Sequence, residues 1–456
     1  MKLTNLTIKD LLTDHKKLTF LVGAGCSVDA PSYLTAGHTM IEAIIEYACA
    51  EPEKERILKL KELRFEQLVE IIRDELDPEL KLIDYYGESN KPNVQHFFLA
   101  EMIKKGHFVM TTNFDFLIEY AILQSGVPKK KVIPVITKSD FQNFDPPEKL
   151  LKKGKVPIYK IHGSTKNIIT GDDTRDSLIA TIQAFGSNKE GENVFQLESF
   201  KQPAFVNATK GRSLVVMGYS GSDDFDIVPT LMVLKHLKNV IWINYTPKDG
   251  GKEKIYEIDD ATFTQTEKLD KVNMILKDVY KIRNSNHIYR VDANTTRLLE
   301  ELLDTKPKIS SDKFSISPTN WLKNNVKVPD EYEKYFIPYK IYYSFDIHEG
   351  AMRCLEEILR RAIEEGDKKW YSVALNNIGY IYKEQGNYPE ALKRYEEALK
   401  IDDQLGDLSN KAVRLNNIGT IYYAQGNYPK ALKIYREAFE IAEQLADLSN
   451  KAKFFN

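Results

Sequence analysis

The sequence predicts an open α/β domain built on a parallel sheet, carrying a helical insertion, followed by an all-α repeat domain. Three observations predict it. Short apolar runs recur between Thr19 and Val291, and five of them end in a small or polar cluster, where open parallel sheets place ligands. Apolar residues at helical spacing fill Met40 to Lys105, directly after the first of these runs. The stretch starting at Ala374 returns at Arg414, which marks an internal repeat. A chain of 456 residues is too long for one core. The expected division is 1–305 for the α/β domain with its insertion at about 40–105, 306–330 for a linker and 331–456 for the repeats.

Composition narrows the function classes. With 42% hydrophobic and 29% charged residues the chain reads as an ordinary globular protein. Its 64 basic and 66 acidic side chains give a net charge of -2, so no nucleic-acid or membrane surface is expected. The basic run Lys129 to Lys131 reads as solvated loop. Three scattered cysteines, Cys26, Cys49 and Cys354, support neither a disulfide framework nor a four-cysteine zinc site. No metal is therefore expected, and a reducing cytoplasm is. Lys9, Asp10 and Asp14 interrupt the N-terminus before a secretory core can form, and no apolar run reaches membrane-spanning length.

In chain order, Asn5 to His15 suggests a short helix. Thr19 to Val22 reads as a buried strand entering Gly23-Ala24-Gly25-Cys26-Ser27, a turn whose small residues permit close approach of a ligand. A helix after such a turn aims free backbone N–H groups at an anion such as a pyrophosphate. The helical insertion, expected to cover that pocket, separates this strand from His107–Met110, which opens into Thr111-Thr112-Asn113-Phe114-Asp115. A third strand, Ile158 to Ile161, is entered through Pro157 and ends in His162-Gly163-Ser164. Gly171 to Gly211 is expected to hold strands or a lid. Ser213 to Met217 ends in Gly218-Tyr219-Ser220, Val240 to Ile243 ends in Asn244, and a strand near Ile288 to Val291 precedes a helix from Thr295. Core packing alone does not call for Asn, Asp, His and Ser at strand ends.

In this order the clusters GAGCS, TTNFD, KIHGS and GYSGSD, with the pair Ile243-Asn244, resemble the sirtuin superfamily across residues of about 15 to 305. The resemblance implies a Rossmann-like NAD site at which the nicotinamide–ribose bond breaks, with NAD as substrate. It implies catalytic roles for Asn113, on the ribose or the attacking water, and for His162, on the ribose hydroxyls and as proton acceptor. Asp115, with the backbone of Phe114, would hold the nicotinamide carboxamide, and Thr112 is expected among the cofactor-binding residues. Ala24, Gly25 and Ser27 would line the diphosphate, Gly218, Tyr219 and Ser220 would close over it, and Asn244 would reach the adenosine ribose. As helix caps, Asn113 and Asp115 would serve both purposes. Cys26 is expected to be chosen for small size.

Two departures separate the chain from protein-deacylating sirtuins. It lacks their four zinc-binding cysteines, and Asp29-Ala30-Pro31-Ser32-Tyr33 stands where they carry Asp-Phe-Arg. What remains resembles the bacterial sirtuin-like branch found in antiviral defence proteins, which hydrolyse NAD to nicotinamide and ADP-ribose. The other readings are a non-catalytic NAD or ADP-ribose sensor and an NAD-dependent deacylase.

In the repeat, Leu375, Ile378, Gly379, Tyr382, Ala391, Tyr395 and Ala398 return as Leu415, Ile418, Gly419, Tyr422, Ala431, Tyr435 and Ala438. Small residues at Gly379 and Ala391 allow two antiparallel helices to approach closely. The pattern resembles the tetratricopeptide repeat with a loop lengthened by about six residues, and a degenerate unit with Tyr342, Ala351, Leu355 and Gly366 in register precedes it. Such arrays bind proteins or peptides on a concave face, so a protein partner, such as a phage trigger, and a homo-oligomer are expected. Lys451 to Asn456 begin a further copy, whose face a partner or more chain would cover.

Overall fold

The structure, a computed structural model, describes residues 1–12, 17–61, 63–181, 197–219, 227–233, 237–259, 262, 270–282 and 287–454. It forms two compact units. The first comprises Met1–Ala43, Leu63–Arg73 and Asp77–Val326, and the second Ile44–Glu62, Asp74–Leu76 and Lys327–Asn456. The helical insertion is thus shared between them, although its apolar periodicity runs on without a break.

Among its described residues the first unit has nine strands: β1 (Lys2–Leu3), β2 (Leu18–Val22), β3 (Phe108–Thr111), β4 (Val132–Val135), β5 (Val156–Lys160), β6 (Ser213–Met217), β7 (Val240–Tyr245), β8 (Lys254–Glu257) and β9 (Ile288–Ala293). They lie in the order β1-β8-β9-β7-β6-β2-β3-β5-β4. The run from β9 to β4 is parallel throughout. β8 and β1 pair antiparallel, at one edge. β2 is the pivot: β3 pairs with one side of it and β6 with the other, so the chain reverses direction of travel across the sheet there.

Strands buried on both faces read as continuous apolar runs, as these do. Phe20, Val22, Val109, Val215 and Met217 join one core with Phe97, Phe98, Ile118, Ile122 and Leu298 from helices on that face. Leu21, Phe108, Met110, Leu214 and Val216 join the other with Phe205, Ile227, Leu231 and Leu276.

Several expectations need correcting. Of 171–211, expected to hold strands or a lid, the described residues form the turn Arg175–Ser177 and the helix Gln202–Thr209 and no strand, while 182–196 lie outside the described residues. The segment read as linker contains the helix Pro318–Asn325, started by the Ser317 side chain accepting from the Asn320 N–H and by proline at its first turn. The N-terminal helix is the short Ile8–Leu11.

In the second unit three helix pairs follow one another: Glu333–Ser344 with His348–Glu365, Lys368–Glu384 with Tyr388–Leu405, and Leu408–Ala424 with Tyr428–Phe454. Glycine at 379 is required by packing, because a Cβ there would lie 2.9 Å from the Tyr395 ring; at 419 it would lie 2.7 Å from Tyr435. The extra residues of the repeat lie in the helices, 17 and 18 residues long in the middle pair, and not in a lengthened loop. Helix Glu51–Leu58 of the insertion also belongs to this unit. Its Glu53, 2% exposed, receives Arg353 at 2.9 and 2.8 Å and the Tyr342 hydroxyl at 2.7 Å. Among the described residues no helix is long and apolar enough to cross a membrane.

Candidate functional site

The five strand-end clusters come from five neighbouring parallel strands, β7, β6, β2, β3 and β5, and lie at their carboxyl ends. The glycine turn leaves β2 as a turn of 3-10 helix, Ala24–Ser27. Its glycines interlock with the loop after β6. The Gly25 N–H donates to the Gly218 carbonyl at 2.8 Å, and a Cβ on Gly218, whose φ is +63°, would meet the Cys26 nitrogen at 2.5 Å. Close approach, which the sequence suggested for a ligand, is used here between two loops of the protein. Cys26 is buried in that contact, and burial, followed by Asp115 and Asp29, pushes its thiol well up.

Below the turn, a hydrogen-bonded cluster joins β2 to β3. Ser27 Oγ donates to Asp115 Oδ2 at 2.7 Å. Asn113 Nδ2 donates to the Gly23 carbonyl at 3.2 Å and approaches Ser27 Oγ at 3.4 Å. Because the Gly23 carbonyl can only accept, the Asn113 amide is fixed with its nitrogen on that side. Its Oδ1 is buried with no hydrogen-bond partner. Asp115 Oδ1 accepts from the Leu117 N–H at 3.0 Å in a turn just before the helix Leu117–Gln124, whose N-cap is Phe116, so neither Asn113 nor Asp115 is the helix cap the sequence suggested.

Thr112 N–H donates to the Val22 carbonyl at 3.1 Å, tying β3's loop to β2, and the Phe114 ring lies 6.0 Å from Tyr86. His162 follows β5 and is 9% exposed, and its carbonyl accepts from the Ile179 N–H at 2.9 Å. Gly163, at φ +77°, lets the chain turn beside Ser177. Ala24 is exposed at the rim, with Gly25 and Gly218 half-buried. Tyr219 packs 6.0 Å from Trp242. Asn244 donates to Asp292 Oδ1 at 2.9 Å. Ser220 lies outside the described residues. Ser27 Oγ is engaged within the protein, by Asp115, His96 and Asn113.

Sequence reasoning missed three groups around this cluster. Asn93, Gln95 and His96, at the start of helix Val94–Lys104, grip the glycine turn: Asn93 Nδ2 on the Cys26 carbonyl at 2.9 Å, Gln95 Nε2 on Asp29 Oδ2 at 2.9 Å, and His96 Nε2 at 3.2 Å from Ser27 Oγ. Two buried lysines brace the loops from behind. Lys160 donates to the Asp115 carbonyl, and Lys201 to the Ile161 carbonyl at 2.6 Å. A cavity of about 480 Å³ is lined by Lys81, Asp84, Glu88, Lys166, Arg175 and Trp321 among others, and by none of Ser27, Asn113, Asp115 and His162. Arg175 is held across it by Asp84 at 2.9 Å.

A family model described as a SIR2-like domain matches residues 107–243. One described as tetratricopeptide repeat matches 348–404 and 370–444. The chain is a SIR2-like domain joined to tetratricopeptide repeats. No curated protein matches it. The matched span of the SIR2-like domain holds TTNFD, KIHGS and GYSGSD, while the glycine turn and Asn244 lie outside it. The sheet seats β2, which leads into the glycine turn, between the matched β6 and β3, and Asn244 follows directly on the matched residues of β7. SIR2-like domains use NAD, and tetratricopeptide repeats commonly mediate protein interactions.

Proposed function

We propose that the SIR2-like domain hydrolyses NAD+ to nicotinamide and ADP-ribose. The observation that carries this reading is the unpartnered Oδ1 of Asn113, buried at the carboxyl end of β3 with its amide orientation fixed. A buried acceptor without a partner costs about 1–3 kcal/mol, which a bound water or ribose hydroxyl would recover. In the reaction the bond between ribose C1′ and the pyridinium nitrogen breaks, and its electron pair stays with nicotinamide. Water, positioned by Asn113, adds to the oxocarbenium-like C1′ and gives up a proton to His162. The Asp115 carboxylate, with Thr112 and the Phe114 backbone, would hold the leaving carboxamide. Ala24 and Gly25, with Gly218, Tyr219 and Ser220, would flank the diphosphate, and Asn244 would meet the adenosine ribose.

Burial of Ser27, Asn113, Asp115 and His162, at 2, 7, 4 and 9% exposure, supports a resting form that opens to admit the dinucleotide. We place control of that opening in the repeats, with a protein trigger and a role in antiviral abortive infection. The resemblance to the bacterial defence branch supports that role.

The test is incubation of the full chain with NAD+ and chromatography of the products. The reading expects nicotinamide and ADP-ribose in equal amounts, with His162→Ala at least ~100-fold slower. Calorimetric binding of NAD+ without cleavage over hours would replace it with the sensor reading.

A further inference from the structure

We propose that His96 is a positioning residue for this site: its ring directs the Ser27 hydroxyl proton onto Asp115 and so sets how that carboxylate faces the leaving carboxamide. The proposal rests on the NAD-cleavage reading and deepens it.

His96 is fully buried in the first turn of helix Val94–Lys104. The backbone N–H of Asn93 donates to its Nδ1 at 3.1 Å. A neutral imidazole has one N–H, so the proton sits on Nε2, which faces Ser27 Oγ at 3.2 Å. Burial, with Asp115 pulling the other way, lowers the ring to about 4, so it stays neutral near pH 7.

The consequence falls on Ser27. Its oxygen receives His96 Nε2–H and, at 3.4 Å, Asn113 Nδ2–H. Both remaining approaches to the hydroxyl are donors, so its single proton has one acceptor, Asp115 Oδ2 at 2.7 Å. Asp115 is then held at both oxygens, by Ser27 on one and the Leu117 N–H on the other. The ring has a fixed frame of its own, because Asn93 and Gln95 tie the same turn of helix to the Cys26 carbonyl and Asp29. Without the ring, the Ser27 hydroxyl regains its rotation and the Asn93 N–H loses its acceptor.

The test compares wild type, His96→Phe and His96→Gln in the full chain, after thermal melts show each variant folded. Three readouts are taken: NAD+ turnover, product inhibition by nicotinamide, and calorimetric binding of ADP-ribose, which has no carboxamide. In His96→Phe the inhibition constant for nicotinamide is expected to rise about tenfold with KM for NAD+, while ADP-ribose affinity stays within about twofold. His96→Gln, whose amide can still donate to Ser27, is expected to recover most of that loss. Nicotinamide and ADP-ribose weakening together, or Gln doing no better than Phe, would reduce His96 to a structural residue and overturn the proposal. So would unchanged nicotinamide inhibition in His96→Phe. A wild-type chain that leaves NAD+ intact would instead overturn the NAD-cleavage reading, and this proposal with it.

Discussion

Lys160 offers the sharpest test of how the site is braced. It ends β5, is fully buried, and places its ammonium on the Asp115 carbonyl, 3.5 Å from Glu119 Oε1 and 5.1 Å from the Phe116 ring centre. Lys160→Met keeps the stem's volume and removes the charge. The hydrogen bond to the carbonyl is charge-assisted and contributes about 1.5–3 kcal/mol. Breaking a buried pair costs about 3–5 kcal/mol when the stranded partner stays charged. Glu119 relieves part of that, since burial already pushes its carboxyl up against the pull of Lys160, and without the lysine that upward push is unopposed by it. The net expectation is a loss of about 3 kcal/mol, the low end of that range. Adding Glu119→Leu should return about 1–3 kcal/mol, because both members of the pair are then gone. Urea unfolding, followed by hydrogen-exchange protection of the β3 and β5 amides, reads this locally. A single variant within about 0.5 kcal/mol of wild type, or a double variant that is additive within that margin, would refute the reasoning.

Gly218→Ala puts a methyl 2.5 Å from backbone at a positive φ, so it should cost more than the about 1–3 kcal/mol of ordinary overpacking; a melting temperature unchanged in a thermal scan would contradict the interlocked loops. In the repeats, Gly379→Ala should cost about 1–3 kcal/mol through the Tyr395 ring, and the pair Gly379→Ala with Tyr395→Leu should be less than additive in denaturant titrations. Burial opposes a charge on Glu53, but Arg353 and Tyr342 outweigh it and hold its carboxyl below the usual range. Its contribution is therefore complete above the ordinary glutamate value of about 4.3 and is lost as pH falls through the lowered folded value. Glu53→Gln should cost about 2 kcal/mol at pH 7, a gap that closes in acid in urea titrations of the repeat unit.

The parts of the fold legible in the sequence were those with a local contrast. Each of the five clusters contrasts with the apolar strand before it, and parallel pairing from β7 to β5 then aligns their ends. β4 escaped notice because Pro134 stands inside it, which an edge strand tolerates. β8 escaped because it is short and antiparallel, with exposed Lys254 at its start. Asn93, Gln95 and His96 stand just before the apolar period of Phe97, Phe98 and Met102 and carry no such contrast. Their partners lie about 65 residues upstream, at Cys26, Asp29 and Ser27, and periodicity carries no trace of such a contact. The one local signal was asparagine followed three residues later by a group able to accept its N–H, a capping box with histidine in the place of glutamate. The split of the insertion between two units had no signal either, since Ile57 of the second unit and Leu68 of the first are alike in being apolar and fully buried.

The central claim is that Asn113, through its unpartnered Oδ1, presents water to C1′ of NAD+. Nicotinamide release by the full chain and by Asn113→Ala, at equal concentrations of folded protein, measures this directly. The account predicts steady release by the wild type and a rate at least ~100-fold lower in the variant, with ADP-ribose still bound. Equal release by the two proteins would contradict it.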